Sequence, residues 1–226
     1  MNIVGILLCR DEADILDATL THMRQQGVGA ILAIDNGSTD GTVDILDGHD
    51  CVVWHDDELA YNQEERMTRL ANEPQALASD FILPFDADEF WMGTNGRTVS
   101  EIMETTTADI LTARAYRIWP GNMRDPELGR LSSVAFRPWG GARLAKGNHS
   151  VARPGTVCAD ELLIHEYQYR SFEQMARKVR HGRRAVDAAG WQPDEGAHWR
   201  RYGLMSDQEL HEEWVRLSNA PDLVAW

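Results

Sequence analysis

Three acidic clusters carry the chemistry this sequence can do: Arg10-Asp11-Glu12, Asp35-Asn36-Gly37-Ser38-Thr39-Asp40 and Asp86-Ala87-Asp88-Glu89. Each stands directly behind an apolar run, Ile3 to Cys9, Ala30 to Ile34 and Phe81 to Phe85. Carboxylates brought to one rim repel one another unless a cation or hydrogen-bond donors meet them. Asp86 and Asp88 are two residues apart, and in extended backbone such residues project to the same side. They can then face one ligand assembly. Carboxylate oxygens suit hard cations such as Mg²⁺ or Mn²⁺, which keep waters and accept phosphate oxygens as further ligands. A metal so held bridges two phosphates and stabilises a diphosphate as it leaves. Taken alone, Asp-x-Asp behind a strand is equally turn chemistry. Asp35 directly follows its strand, where a carboxylate can accept hydrogen bonds from a base or from ribose hydroxyls. In DNGSTDGT, Gly37 and Gly41 supply unusual backbone angles and Asp40 is placed to cap the next helix. The spacing does not match a calcium-binding EF-hand loop.

These clusters need strands to carry them. Ile3 to Cys9 has the continuous apolar character of a strand buried on both faces. Ile15, Leu16, Leu20 and Met23 recur at helical spacing, with Asp11 as candidate N-cap and Gly27 and Gly29 as stops. Ala30 to Ile34, a short helix over Val43 to Leu46, a strand at Cys51 to Trp54, a helix over Glu64 to Asn72 and a strand at Phe81 to Phe85 follow. Strands alternating with helices predict a mostly parallel, doubly wound sheet, in which ligands collect at the carboxyl ends of the strands. Further on, Ile110 to Ile118, Ser132 to Arg137 and Leu162 to Tyr169 are strand-like, separated by irregular loops. Thr98 to Glu101, Ser171 to Gln174 and Ser206 to Glu209 have capping-box spacing and predict three helix starts. The fold class expected is α/β, a Rossmann-like sheet with flanking helices and a C-terminal helical tail. Residues 1–170 form the main domain, with a nucleotide-binding half 1–90 and an acceptor half 91–170, and residues 171–226 a helical segment packed on it.

Composition narrows the partners. The chain has 226 residues and a formal net charge of −14, which disfavours nucleic acid and anionic membranes as partners for the surface as a whole. A polyphosphate must be neutralised locally, by a metal or by clustered Arg and Lys. No stretch approaches the ~18 to 20 apolar residues of a membrane span. The N-terminal run lacks the basic n-region and cleavage site of a signal peptide. Cys9, Cys51 and Cys158 are few, scattered and odd in number, which argues against a disulfide framework and fits a reducing, cytoplasmic setting.

The segments ILLCRDEADIL, AIDNGSTDGT and FILPFDADEFW, in that order, resemble the signatures of family 2 glycosyltransferases of the GT-A fold. Asp86 to Phe90, Gly147-Asn148-His149, and His165 with Ser171 to Gln174 are similar to a small-domain, family 92-like subgroup. The resemblance runs from about residue 3 to about 215. It implies a metal-dependent enzyme that moves a sugar from a nucleoside diphosphate donor, a UDP- or GDP-sugar, to a sugar, lipid-linked or small-molecule acceptor, with inversion. It implies Asp88 as principal metal ligand, Asp86 toward the ribose or the water shell of the metal, and His165 as a further ligand to Mn²⁺ or Mg²⁺. Asp35, with Arg10 and Glu12 of the first loop, is implied in donor binding. The family usually has Asn where this chain has Asp11.

Other residues join as candidates. Gln63 and Arg66, on the helix before the fourth strand, are placed for the nucleotide. His149 lies in a Gly-rich turn, where it lines the acceptor or closes a loop. The helix behind Ser171 carries Arg177, Lys178, Arg180, His181, Arg183 and Arg184; most form a solvated basic face, and Lys178 is the first choice for donor phosphates. A direct displacement needs a general base, for which Asp160, Glu161 and Glu166 are available. Asp160 and Glu161 resemble the acidic pair of related enzymes. Trp91, Trp119 and Trp139 either stack on sugar rings or fill the core. The competing readings are a sugar-nucleotide nucleotidyltransferase and a non-catalytic nucleotide-sugar-binding module.

Overall fold

The computed structural model describes residues 1–129, 132–145, 147–192 and 195–225. In chain order the elements are β1 (Ile3–Cys9), α1 (Leu16–Gln25), β2 (Ala30–Asp35), α2 (Thr42–Gly48), β3 (Val52–His55), α3 (Gln63–Ala71), α4 (Pro74–Leu77), β4 (Phe81–Phe85) and β5 (Glu89–Gly93). Then come α5 (Val99–Thr105), β6 (Ile110–Trp119), β7 (Met123–Arg124), β8 (Ser132–Phe136), β9 (Arg143–Ala145), β10 (Ser150–Ala152) and β11 (Val157–Glu166). The chain closes with α6 (Phe172–Ala188), α7 (Ala197–Gly203), α8 (Asp207–Ser218) and β12 (Val224–Ala225).

Two compact units are present. The first comprises Met1–Asp57, Gln63–Ala115 and Gly129–Glu166. Its sheet runs β6-β8-β4-β1-β2-β3, with β11 paired to β5 and β6. The block β4-β1-β2-β3 is parallel, with Val4 opposite Ala30, Ile3 opposite Phe81 and Leu32 opposite Val52. Strand β8 pairs antiparallel with β6 and with β4. The mixed α/β class with a mostly parallel central sheet is thus as the apolar runs predict.

The reason β1 is apolar throughout lies in its two faces. Ile3, Leu7 and Cys9 join one cluster, with Leu16, Leu20 and Met23 of α1 and Val99, Ile102 and Met103 of α5. Val4 and Ile6, at the alternate positions, join another with Met67, Leu70 and Ala71 of α3. A period of two splits one strand between two cores. Gly5 sits between Ile3 and Leu7, where an added Cβ would stand 2.9 Å from the Phe85 ring.

Helix α5 starts as its sequence predicts. The Thr98 hydroxyl accepts from the Glu101 N–H at 3.2 Å, and the Glu101 carboxylate accepts from the Thr98 N–H at 2.7 Å. These bonds hold the Glu101 carboxyl below its usual range, so the box contributes above the ordinary glutamate range and is lost as pH falls through the lowered value. Thr98→Ala is expected to lower stability by about 1 kcal/mol, read from the midpoint of urea unfolding. Ser206 and Glu209 form a second complete box. At Ser171 only half is made: the hydroxyl accepts from the Gln174 N–H, while Gln174 Oε1 accepts from the Arg170 N–H.

The second unit comprises Glu58–Asn62, Tyr116–Leu128 and Tyr167–Trp226. Its core gathers Trp119, Tyr169, Met175, Ala176, Val179 and Leu210, with α7 and α8 packed on α6. Here β12 pairs with β7, and β7 with the end of β6.

Three sequence expectations need correction. Asp11 is not a helix cap: α1 begins at Leu16, and Asp11 has a left-handed backbone (φ 51°). The strand expected over Leu162 to Tyr169 spans Val157–Glu166, because its mostly exposed first half is also strand although it lies outside the buried apolar run. Asp86, Ala87 and Asp88 are not extended; they form a turn between β4 and β5, so pleat geometry does not orient the two carboxylates.

Candidate donor-binding site

Strands β2 and β3 are laid down on one side of β1, and β4 on the other. The order of strand addition therefore reverses between β1 and β4, a switch point of the kind at whose carboxyl ends open α/β sheets bind ligands. At that end β4 delivers Asp86 and Asp88, β1 delivers Arg10, Asp11 and Glu12, β2 delivers Asp35 and Asn36, and β3 delivers His55 and Asp56. The three acidic clusters read from sequence do stand at neighbouring strand ends.

The Asp86–Glu89 turn is braced from several sides. The Glu89 N–H donates to the Asp86 carbonyl at 3.0 Å. In return the Asp86 N–H reaches the Glu89 carboxyl at 3.3 Å. The Thr19 hydroxyl of α1 donates to the Ala87 carbonyl at 2.6 Å. The buried Glu89 carboxyl also accepts from Trp91 Nε1–H at 3.0 Å and from the Ser133 hydroxyl at 3.2 Å. Burial pushes this carboxyl well above its usual range; Asp86, Glu166 and Asp88 push the same way, and the Trp91 bond opposes them. Asp88 is only 4% exposed.

A proline shapes the next contact. Strand β4 pairs with β8 through a single bridge, Ile82 opposite Phe136. One antiparallel step onward, Pro84 would face Val134, and proline has no N–H to continue the ladder. Beyond the bridge, the Val134 N–H donates to the Asn148 carbonyl at 2.9 Å. That contact brings the Asn148 side chain to the turn, where Nδ2–H donates to Asp86 Oδ1 at 2.8 Å. Gln63 Nε2–H donates to the same oxygen at 3.3 Å and lies over Gly147, where an added Cβ would meet its amide at 2.8 Å.

On the β2 side, Asp35 is 3% exposed and accepts from the Ser38 N–H at 3.2 Å, with His55 Nδ1 3.5 Å from its other oxygen. Arg10 donates to the Asn36 carbonyl at 2.6 Å, and Asn36 Nδ2–H to the Asp56 carbonyl at 2.5 Å. Gly37 (φ 73°) lets Arg10 and Asp57 approach the loop, since a Cβ there would stand 3.2 and 3.1 Å from them. Asp11 accepts from the Thr39 N–H at 2.7 Å, and the Glu12 N–H donates to the Thr42 hydroxyl at 2.9 Å. Asp40 accepts from the Thr42 N–H at 2.9 Å but is not the cap of α2, whose N-cap is Gly41 with no side-chain capping bond. Arg66 is buried and pairs with Asp56 at 2.9 Å.

Other candidates lie elsewhere. His165 is opposite Phe90 on β5, on the sheet face away from the Glu89–Glu166 pair. His149 Nδ1 is 3.2 Å from the Ser132 carbonyl. Asp160 (φ 69°) is exposed, and Glu161 is five residues, ~17 Å of strand, before Glu166. Glu166 is opposite Glu89, the first strand residue behind the turn. The structure therefore does not bring Asp160 and Glu161 to the turn. Lys178 lies on α6 in the second unit.

Among the described residues no three His, Cys, Asp or Glu side chains are grouped to hold a metal ion. Asp86, Asp88 and His165 are thus not assembled into a complete ligand set. The residues present fit a hard cation that takes one or two carboxylates and fills its other positions with phosphate oxygens and water, as Mg²⁺ does. Sequence reasoning placed Glu89 in an acidic cluster and Asn148 in the Gly147-Asn148-His149 element but gave neither a role of its own. Glu89 was legible from the alternation Glu89, Trp91 of an inward strand face; the contact of Asn148 with Asp86 spans 62 residues and had no signal in the sequence.

No known family profile matches the chain, and neither does any curated protein. Solved structures similar to it include S. aureus TarS, at 13% identity and a TM-score of 0.44, covering 98% of this chain and 44% of that one. Mannosyl-3-phosphoglycerate synthase from Rubrobacter xylanophilus is similar at 14% identity and a TM-score of 0.46, over 91% of this chain and 76% of that one. Glucosyl-3-phosphoglycerate synthase from Mycobacterium tuberculosis, in complex with Mn²⁺, UDP-glucose and glycerol 3-phosphate, is similar over 50% of this chain and 44% of that one, at 14% identity and a TM-score of 0.33. The chain spans less than half the length of the TarS chain. Likeness at this level assigns the chain to no family.

Proposed function

We propose that this chain is a glycosyltransferase that moves a sugar from a nucleoside diphosphate sugar to an acceptor hydroxyl, with Mn²⁺ or Mg²⁺ at its donor site. One observation carries the reading: the strand ends flanking the β1/β4 switch point hold a buried, braced Asp86–Asp88 turn beside the loop of Asp35 and Arg10. Asp35, buried yet hydrogen-bonded only through a local turn and His55 in the bonds described, suits a ribose or base donor. Asp86 and Asp88 would hold the cation, which when bound stabilises charge on the departing diphosphate. Arg10 would add positive charge to the same rim. No described helix is long and apolar enough to cross a membrane.

The transfer needs a base for the acceptor hydroxyl. Register favours Glu166, opposite Glu89, over Asp160 and Glu161. In the reaction proposed, the acceptor oxygen bonds to the anomeric carbon as that carbon's bond to the diphosphate oxygen breaks. The bonding pair leaves with the diphosphate, and the hydroxyl proton passes to the Glu166 carboxylate. Inversion follows from such a single displacement. Glu166→Gln is expected to lower kcat by about 100-fold to 1,000-fold with nucleotide affinity nearly unchanged, whereas Glu161→Gln stays near wild type. The reverse pattern in steady-state kinetics would return the role to Glu161.

The reading itself is tested by calorimetry of UDP, GDP, ADP and CDP with and without Mn²⁺. Metal-strengthened binding of one nucleotide supports it and narrows the donor. Absence of binding by every nucleotide, with metal present, overturns it.

A further inference from the structure

The Asn148 side chain is a buried polar group of the β1/β4 rim whose bonding is half finished, as is that of Arg10, whose Nε also has no hydrogen-bond partner. Asn148 is 2% exposed, and its Nδ2–H is spent on Asp86 Oδ1 at 2.8 Å. The other end of the same amide, Oδ1, is buried and has no hydrogen-bond partner. A buried carbonyl oxygen without a donor is costly, so such a group in a native site calls for a partner that arrives later. We propose that Asn148 is a specificity-determining residue of the donor site, whose Oδ1 accepts a hydrogen bond from a hydroxyl of the bound nucleotide or of its sugar.

Chemistry limits what the partner is. Oδ1 has lone pairs and no proton, so it takes only a donor. Phosphate oxygens at neutral pH are acceptors and a metal-bridged diphosphate has no proton to give. The donors that the ribose and the transferred sugar carry are hydroxyls. The cover over this amide is light. Gln63 lies across Gly147 and reaches Asp86 at 3.3 Å, longer than the usual N–H···O distance. Gly147 itself has φ 74°, and the absence of a Cβ is what lets Gln63 sit there. The amide orientation is fixed by its neighbour: Nδ2 must face the Asp86 carboxylate, because a carbonyl there would meet another acceptor.

This inference rests on the donor-site reading above, and the experiment separates the two. Wild type and Asn148→Ala are titrated by calorimetry, with Mn²⁺ present, against the preferred nucleoside diphosphate, its 2′-deoxy and 3′-deoxy forms, and the corresponding nucleotide sugar. Asn148→Ser serves if the alanine variant fails to fold. Losing the Asp86 contact weakens all ligands alike, so the informative quantity is coupling between the protein change and the ligand change. Coupling is expected: deleting one hydroxyl should weaken wild type by about tenfold and the variant by less than twofold. Coupling to a deoxy position places the partner on ribose. Coupling to the sugar, seen as a lost preference of the variant for nucleotide sugar over nucleoside diphosphate, places it on the transferred group. Strictly additive effects at every hydroxyl overturn the proposal while leaving the donor site standing. Failure of wild type to bind any nucleotide overturns both.

Discussion

Asp88→Asn should abolish the metal's contribution to nucleotide binding and lower the rate of transfer by about 100-fold or more, while leaving the protein as stable as before or more so. The two halves of that expectation have one cause. Asp88 belongs to an acidic group with Asp86, Glu89 and Glu166, whose mutual repulsion contributes to the raised Glu89 carboxyl. A cation offsets that repulsion when bound; a neutral side chain of the same size removes part of it permanently. Losing a group that stabilises a departing diphosphate typically costs 10² to 10³ in rate, an order-of-magnitude expectation. Thermal unfolding without ligand and calorimetry with and without Mn²⁺ read the two halves separately. A variant that keeps metal-strengthened binding would show that Asp88 is no ligand. One that is less stable and equally active would make Asp88 a structural residue of the turn.

The largest effect on stability is expected at Trp91. The side chain is fully buried, and its indole N–H is one of the donors that hold Glu89. Trp91→Ala leaves a large void between β5, β11 and α1 and strips a donor from a buried carboxyl. Together these should cost about 4 kcal/mol in urea unfolding. Trp91→Phe keeps most of the packing and loses the N–H, so about 1 to 2 kcal/mol is expected. If the two variants lost equal stability, the Glu89 bond rather than the packing would dominate. Either variant should also weaken nucleotide binding, because Glu89 holds the backbone of Asp86 from behind.

Legibility in the sequence followed the range of the contacts. The parallel block was readable because β1, β2 up to its final Asp35, and β4 are apolar throughout, a pattern forced on strands buried on both faces. The site's location followed, since what trails such strands collects at one rim. Thr98 and Ser206 announced their helices because a capping box is complete within four residues. Where the determinant was distant, sequence gave less. Asp11 had the type of a helix cap, yet its carboxylate is committed to Thr39 on the next loop. Register puts Glu166, and not Asp160 or Glu161, opposite Glu89, a placement that residue types do not encode. The start of β11, Val157 to Glu161, is mostly exposed and lacks hydrophobic alternation, and so gave no strand signal.

Pro84 has a consequence for the order in which the protein becomes competent. By ending the β4–β8 ladder after one bridge, it leaves the rim to be finished by Asn148, a residue 62 positions from Asp86. Contacts that close long loops form late, because the chain entropy they cost is recovered only once both sides are in place. The parallel block can therefore be ordered, and its cores dry, while this rim is still open. A refolding experiment followed by both tryptophan fluorescence and nucleotide capture would show capture lagging, and in Pro84→Val, where β8 can extend its pairing, the lag would change.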